Sequence, residues 1–238
     1  MKLEEFKTLF FNECEKINIV PNDNQIEEFF KYMNGVLEWN KKINVTAITD
    51  EKMFVVKHFI DSLTINQYLE GKDKIIDIGT GAGFPSIPLK IMNKEKEFTL
   101  IDSINKKLNV IREINKDINL DKLEIIHCRA EDLANKIEYR EKYDVAVTRA
   151  VSNLSTITEY MLPFVKINGI AICMKGPNYE SELDNAKNAI KILGGKVEKI
   201  EKVQVDNEME RNLVIIKKIK NTPKNFPRGQ GKPLKEPL

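Results

Sequence analysis

In the first 70 residues apolar positions recur at intervals of three and four. Leu3, Phe6, Leu9, Phe10, Cys14 and Ile17 share one helical face, and Pro21 sets the limit of that helix. Asn22 or Asp23 then caps a second helix whose stripe is Ile26, Phe29, Phe30, Met33, Val36 and Leu37. A third is predicted from near Asp50 through Met53, Val56, Phe59, Ile60 and Leu63. No strand signal precedes Gly71.

After Gly71 the texture changes. Short β-rich runs at 74–79, 97–102, 122–127, 143–148 and 169–175 alternate with helical patterns at 106–116, 155–165 and 181–193. Most of the runs lack in/out alternation, which predicts parallel strands covered on both faces. The last two runs, 196–205 and 211–218, are joined only by the polar segment 206–210. That connection is too short for a crossover helix, so the pair is antiparallel. The expected class is α/β: a mostly parallel sheet with an antiparallel C-terminal strand pair, preceded by helices. The chain divides into an N-terminal helical cap (1–70), a main domain (71–220) and a basic, Pro-rich tail (221–238), the tail extended rather than packed.

Composition narrows the class. The 238 residues are 42% hydrophobic and 31% charged, which excludes a disordered or disulfide-rich chain. No apolar run reaches the roughly 20 residues of a membrane span, and the N-terminus lacks the signal-peptide pattern. Cys14, Cys128 and Cys173 are scattered, without a CxxC, so a reducing compartment, the cytoplasm, is expected, and no metal. The net charge of +2 conceals an asymmetry, because residues 1–70 carry 8 basic and 12 acidic side chains. The C-terminal side is basic and permits contact with a polyanion; solvated lysines are an equal alternative.

The strongest local signal follows the first strand: Asp77-Ile78-Gly79-Thr80-Gly81-Ala82-Gly83-Phe84. In such sheets ligands sit beyond the carboxyl ends of the strands. A dinucleotide fingerprint needs a third glycine where Phe84 stands, and a P-loop needs a Lys-Ser/Thr ending that is missing. A ligand without pyrophosphate fits better, namely S-adenosylmethionine, with Asp77 facing its cationic end. Asp102, ending the second strand, suits the ribose hydroxyls of a nucleoside or an N-cap. Arg129-Ala130-Glu131 suits an adenine edge, and Arg149 ends the fourth strand at the lip of the same crevice. His58 and His127 are isolated and read as structural, and Trp39 as packing.

These residues resemble a known family. Residues 39–48, from Trp39-Asn40 through Asn44-Val45-Thr46, are similar to the opening motif of the RsmG (GidB) family of small-subunit ribosomal RNA methyltransferases. His58-Phe59-Ile60-Asp61-Ser62-Leu63 resembles its H-x-x-D-S-L. Residues 77–90 resemble its cofactor loop, and Asp102-Ser103 with Lys106-Lys107 its second-strand turn. Arg129-Ala130-Glu131, Thr148-Arg149-Ala150 and Phe226-Pro227-Arg228 match its later motifs. Ser86 and Cys128 stand where the family more usually has Gly.

The resemblance implies a class I, Rossmann-like fold and methyl transfer from S-adenosylmethionine to guanine N7 in a loop of 16S ribosomal RNA. It implies cofactor contacts at Gly79, Phe84, Ala130, Glu131 and Arg149, to which the residue reading adds Asp77, Gly81 and Asp102. Arg149 is expected to be catalytic, orienting cofactor and guanine, while Lys175 and Arg228 meet RNA phosphates. The partner is 16S ribosomal RNA or the small ribosomal subunit, and the enzyme is expected as a monomer. Chemistry agrees with N7. The exocyclic-amine motif is absent after strand four, where Arg149-Ala150-Val151-Ser152 stands, and Cys173 sits within an apolar strand. Three alternatives stay open: methyl transfer to another RNA position or a protein, a non-catalytic nucleotide-binding module on the ribosome, and an NAD-linked oxidoreductase.

Overall fold

The computed structural model describes residues 1–149, 152–206, 209–229 and 231–238; Ala150 and Val151 of the fourth-strand motif lie outside the described residues. The chain begins with helices α1 (Leu3–Lys16) and α2 (Asp23–Asn40), the latter capped by Asn22, whose side chain accepts from the Gln25 N–H while Gln25 returns the bond. The predicted third helix is a composite: α3 (Glu51–Phe54), a π turn (Val55–Ile60) and α4 (Asp61–Leu63). The main body alternates β1 (Lys74–Ile78), α5 (Ser86–Met92), β2 (Glu97–Asp102), α6 (Asn105–Ile118), β3 (Leu123–His127), α7 (Ala130–Leu133) and β4 (Tyr143–Arg149). It continues with α8 (Leu154–Met161), β5 (Val165–Lys175), α9 (Tyr179–Ile192), β6 (Gly195–Gln204) and β7 (Glu210–Lys218). A last turn, α10 (Lys232–Lys235), closes the chain.

The sheet order is β3-β2-β1-β4-β5-β7-β6. Five strands run parallel, and β7 inserts antiparallel between β5 and β6. The central strands β1, β2 and β4 are buried on both faces, which is why they lack polar alternation. Ile75, Val145, Ile172 and Ile215 face a core shared with α1, α2, α5 and α6. Ile76, Ala146, Ala171 and Val214 face a second core built with α8 and α9. The N-terminal helices therefore share the core of the main body, with α2 lying against α5 and α6. Strand order reverses between β1 and β4, which opens a crevice at their carboxyl ends. Among the described residues no helix is long and apolar enough to cross a membrane.

The tail corrects the expectation of an extended segment. Thr222, Phe226 and Pro233 are buried. Arg140 donates to the Thr222 and Phe226 carbonyls at 2.9 Å each. The buried Lys218 ammonium donates to Thr222 Oγ1 at 2.6 Å. Arg228 closes a two-pronged bond on Glu159, Nε to Oε1 at 3.0 Å and Nη2 to Oε2 at 2.7 Å, and its own N–H donates to the same carboxylate. Glu159 is fully buried, so this pair sits where an unmatched charge is expensive. Arg228→Ala is expected to destabilise the fold by about 3 kcal/mol, since it strands a buried carboxylate. For a chain of this size that lowers the melting temperature by roughly 6–12 °C. Thermal unfolding checks it, and an unchanged melting point would place the tail outside the folded unit.

Candidate active site

The glycine loop turns three times through positive φ, at Gly79 (73°), Gly81 (59°) and Gly83 (85°). Gly83 also needs its missing side chain, because a Cβ there would lie 2.5 Å from Tyr32 Oη and Ile87 Cγ1. That close approach lets Tyr32 of α2 donate to the Ala82 carbonyl at 2.6 Å, which ties the N-terminal helices to the loop.

Beside the loop a cleft of about 420 Å³ lies at the ends of β1, β2 and β3. Of the predicted residues, Gly79, Gly81, Asp102, Ala130 and Glu131 line it. Asp102 Oδ2 accepts the Gly81 N–H at 2.9 Å and Oδ1 accepts the Ile104 N–H at 2.8 Å, so one carboxylate braces both rims. Each oxygen retains a lone pair for a further donor such as a hydroxyl. The ribose and turn-capping roles are thus compatible. Glu131 is buried, and its Oε1 accepts the Gly231 N–H at 3.1 Å.

Arg149, Phe84 and Asp77 do not line this cleft; they form a second cluster beside it. The Phe84 ring packs into an aromatic group with Tyr32, Phe54 and Phe59 instead of lining this cleft. His58 stacks on Phe84 with centroids 4.4 Å apart and planes 10° from parallel, and the Arg149 guanidinium lies 5.3 Å from the same ring. Arg149 donates to the Lys57 carbonyl (3.0 Å), to Asp61 Oδ2 (2.8 Å) and to His58 Nδ1 (2.9 Å). The π turn is what makes this possible. Its wider spacing places a backbone carbonyl, His58 and Asp61 around one guanidinium. Asp61 is fully buried and also receives Arg211 of β7, Nε to Oδ1 at 2.7 Å and Nη2 to Oδ2 at 3.0 Å.

These contacts fix the His58 tautomer. Arginine has only donors, so Nδ1 must accept, and the ring proton sits on Nε2 and donates to Thr46 Oγ1 at 2.8 Å. Burial, with the Arg149 charge adding to it, pushes the imidazolium down to about 3, so the ring stays neutral. Thr46 is delivered by a loop that Asn40 holds, its Oδ1 accepting the Val45 and Thr46 N–H groups at 2.8 and 3.0 Å. Two motifs far apart in sequence thus converge on Arg149. His58, Asp61 and Arg211 were not singled out as site residues, and a His and an Asp three apart on one helix were the available signal.

The remaining cations are committed. Lys175 donates to Glu182 Oε2 at 2.7 Å and its side chain is largely buried. Arg228, expected at a phosphate, is instead closed on Glu159, because a buried carboxylate claims its fork. Arg129 is exposed at the cleft, which Lys107 also lines, and the tail carries the exposed Lys224, Lys232 and Lys235.

Asp77 is fully buried, and its Oδ2 accepts from Thr80 Oγ1 at 2.8 Å. Burial pushes its carboxyl up to about 7, against the pull of Thr80, Ser86 and the Arg149 charge. The native state then holds a proton that the unfolded chain releases near pH 4. Stability contributed by this group therefore falls as pH rises from about 4 to 7. Between pH 5 and 8 the loss should be about 3 kcal/mol at 1.36 kcal/mol per unit, and Asp77→Asn should remove it. Urea unfolding of both proteins at the two pH values measures this; parallel losses would contradict it.

Comparisons with known proteins agree with this arrangement. The family model described as GidB, rRNA small subunit methyltransferase G, matches residues 25–214. A ribosomal RNA small subunit methyltransferase G of Clostridium tetani is 46% identical over 228 residues, covering 94% of this chain and 95% of that protein. The same-named protein of Alkaliphilus oremlandii is 46% identical over 239 residues, covering 98% and 99%. Among solved structures, an O-methyltransferase from Bacillus cereus in complex with SAH superposes with a TM-score of 0.58 at 14% identity, over 90% of this chain and 99% of that one. TYW2 from M. jannaschii, in complex with AdoMet, gives 0.52 at 15% identity, over 67% and 77%. The last two show a shared fold. With matched motifs assembled at one sheet edge and near-full-length relatives of one kind, the chain belongs to the GidB family, rRNA small subunit methyltransferase G.

Proposed function

We propose that this protein transfers the methyl group of S-adenosylmethionine to N7 of one guanine in 16S ribosomal RNA. The observation that carries the proposal is an adjacency. A nucleoside-sized cleft braced by Asp102 ends one strand away from a guanidinium clamped at the end of β4. S-adenosylmethionine, when bound, supplies a methyl group on a positively charged sulfur.

The residues present fit that cofactor. Asp102 takes the ribose hydroxyls, and Ala130 and Glu131 take the adenine edge, with Gly79 and Gly81 allowing close backbone approach. Asp77, buried beside the loop and accepting from Thr80, supplies negative charge toward the cationic end of the ligand when ionised. Phe84 contributes by holding the His58–Arg149 stack in place. On the acceptor side, guanine N7 has a lone pair and no proton to lose, so positioning replaces base catalysis. That agrees with the state of the titratable groups here. His58 has both ring nitrogens engaged. Burial pushes Cys14 and Cys173 up to about 12 and Cys128 to about 11, so each is a thiol rather than a nucleophilic thiolate. Arg149, held by three partners, donates to guanine O6 and aims N7. Exposed Arg129 and the tail lysines meet phosphates. Lys175 does so only by exchanging Glu182, and Arg228 only by exchanging Glu159.

Incubation of the purified protein with labelled S-adenosylmethionine and 30S subunits should put label into one guanine, whose strand then breaks under borohydride and aniline. Label that resists cleavage would move the target to another atom, and absence of label would leave a binding module. Because Arg149 neutralises Asp61, Arg149→Ala costs stability as well as activity. Arg149→Lys keeps the charge and loses the planar fork. It should lower the single-turnover rate by about 10² or more while SAH still binds, as for loss of one preorganised donor. A wild-type rate would remove Arg149 from the chemistry.

A further inference from the structure

Two of the large apolar side chains left exposed on this molecule, Ile104 (40% exposed) and Leu234 (59%), line the same cleft. They come from separate parts of the chain: Ile104 follows β2, and Leu234 lies in α10, sixteen residues beyond the last strand. An exposed leucine on a loose tail would mean little. This tail is not loose. Arg228 is closed on Glu159, Thr156 Oγ1 donates to the Pro233 carbonyl at 2.9 Å, and the Pro233 ring is buried. Gly231 adopts φ of +70°, a conformation that costs most residues energy, and from it sends its N–H to Glu131 Oε1 at 3.1 Å. Tyr160 of α8, the helix on which the tail is seated, lines the cleft as well.

We propose that the segment 231–236 is a strap that completes the cofactor site. Leu234 packs against the adenosine of bound S-adenosylmethionine, and the Gly231 N–H orients the Glu131 carboxylate toward it. This rests on reading the cleft as the nucleoside site. The chemistry selects a flat, apolar-faced group with polar edges. Leu234 and Ile104 offer apolar surface that a base would remove from water, while Asp102 and Glu131 offer acceptors at the perimeter. The Pro- and Gly-rich composition then has a purpose, fixing one apolar side chain over a cleft without a long helix.

The test is calorimetric titration of the full-length protein with SAH and with methylthioadenosine, which shares the nucleoside and lacks the amino-acid end. Leu234→Ala should bind both ligands about ten-fold more weakly, the loss expected for removing one partly buried leucine contact. Leu234→Met should restore near-wild-type affinity. The melting temperature of unliganded Leu234→Ala should stay within a degree or so of wild type, because an exposed side chain supports little of the fold. If Leu234→Ala binds SAH as tightly as wild type, the strap is only a structural tail. A loss confined to 30S affinity, with SAH binding intact, would assign it to RNA and overturn the inference. If wild type itself binds neither ligand, the cofactor reading fails first and the strap with it.

Discussion

One carboxylate holds the architecture of this site. Asp61 has no exposed surface, and two guanidiniums converge on it, Arg149 from the end of β4 and Arg211 from the start of β7. A charge so placed is tolerable only while paired. Asp61 rides on the N-terminal helical segment, and its partners ride on the sheet, so the pairing fixes how the cap sits over the strand ends. The rest follows in sequence. With Arg149 fixed, His58 can only accept at Nδ1, which puts its one ring proton on Nε2 toward Thr46 and orders the loop that Asn40 holds. With His58 flat against Phe84, the glycine loop keeps the shape that Tyr32 secures from the other side.

Around this core the crevice splits into two halves of different character. The half at β1, β2 and β3 is a cleft with carboxylates at its edge and apolar side chains in its walls. The half at β4 is buried and holds Arg149 and Arg211 on Asp61, with Asp77 close behind it. Such a division suits a ligand that anchors by its nucleoside and presents its reactive end at the boundary. The tail brings Leu234 to the first half and is pinned to α8 by Arg228 on Glu159 and by Thr156 on the Pro233 carbonyl.

Much of the fold was legible because its signals are local. The strands at 97–102 and 143–149 follow from runs of Phe, Leu, Ile and Val, and the glycine loop from its position after β1. Asp102 and Glu131 were readable as neighbours in one crevice because Asp102 ends β2 and Glu131 lies in the first turn of α7, just beyond β3. What was not legible depends on long-range pairing. Nothing near Arg228 in sequence announces Glu159, 69 residues away, so a basic, Pro-rich stretch looked solvated when it is packed. His58 looked isolated because its partners, Thr46, Phe84 and Arg149, are scattered over a hundred residues. The direction of the Phe84 ring was hidden for the same reason, since the aromatic cluster that claims it is assembled from α2, α3 and the π turn.

The claim that Asp61 locks the cap to the sheet is tested most directly by native-state hydrogen exchange on wild type and Asp61→Asn. The account predicts that amides of 55–63 and of β7 near Arg211 lose protection together, while those of β1, β2 and β3 keep theirs. Protection lost evenly across the molecule, or retained at 55–63, would contradict it.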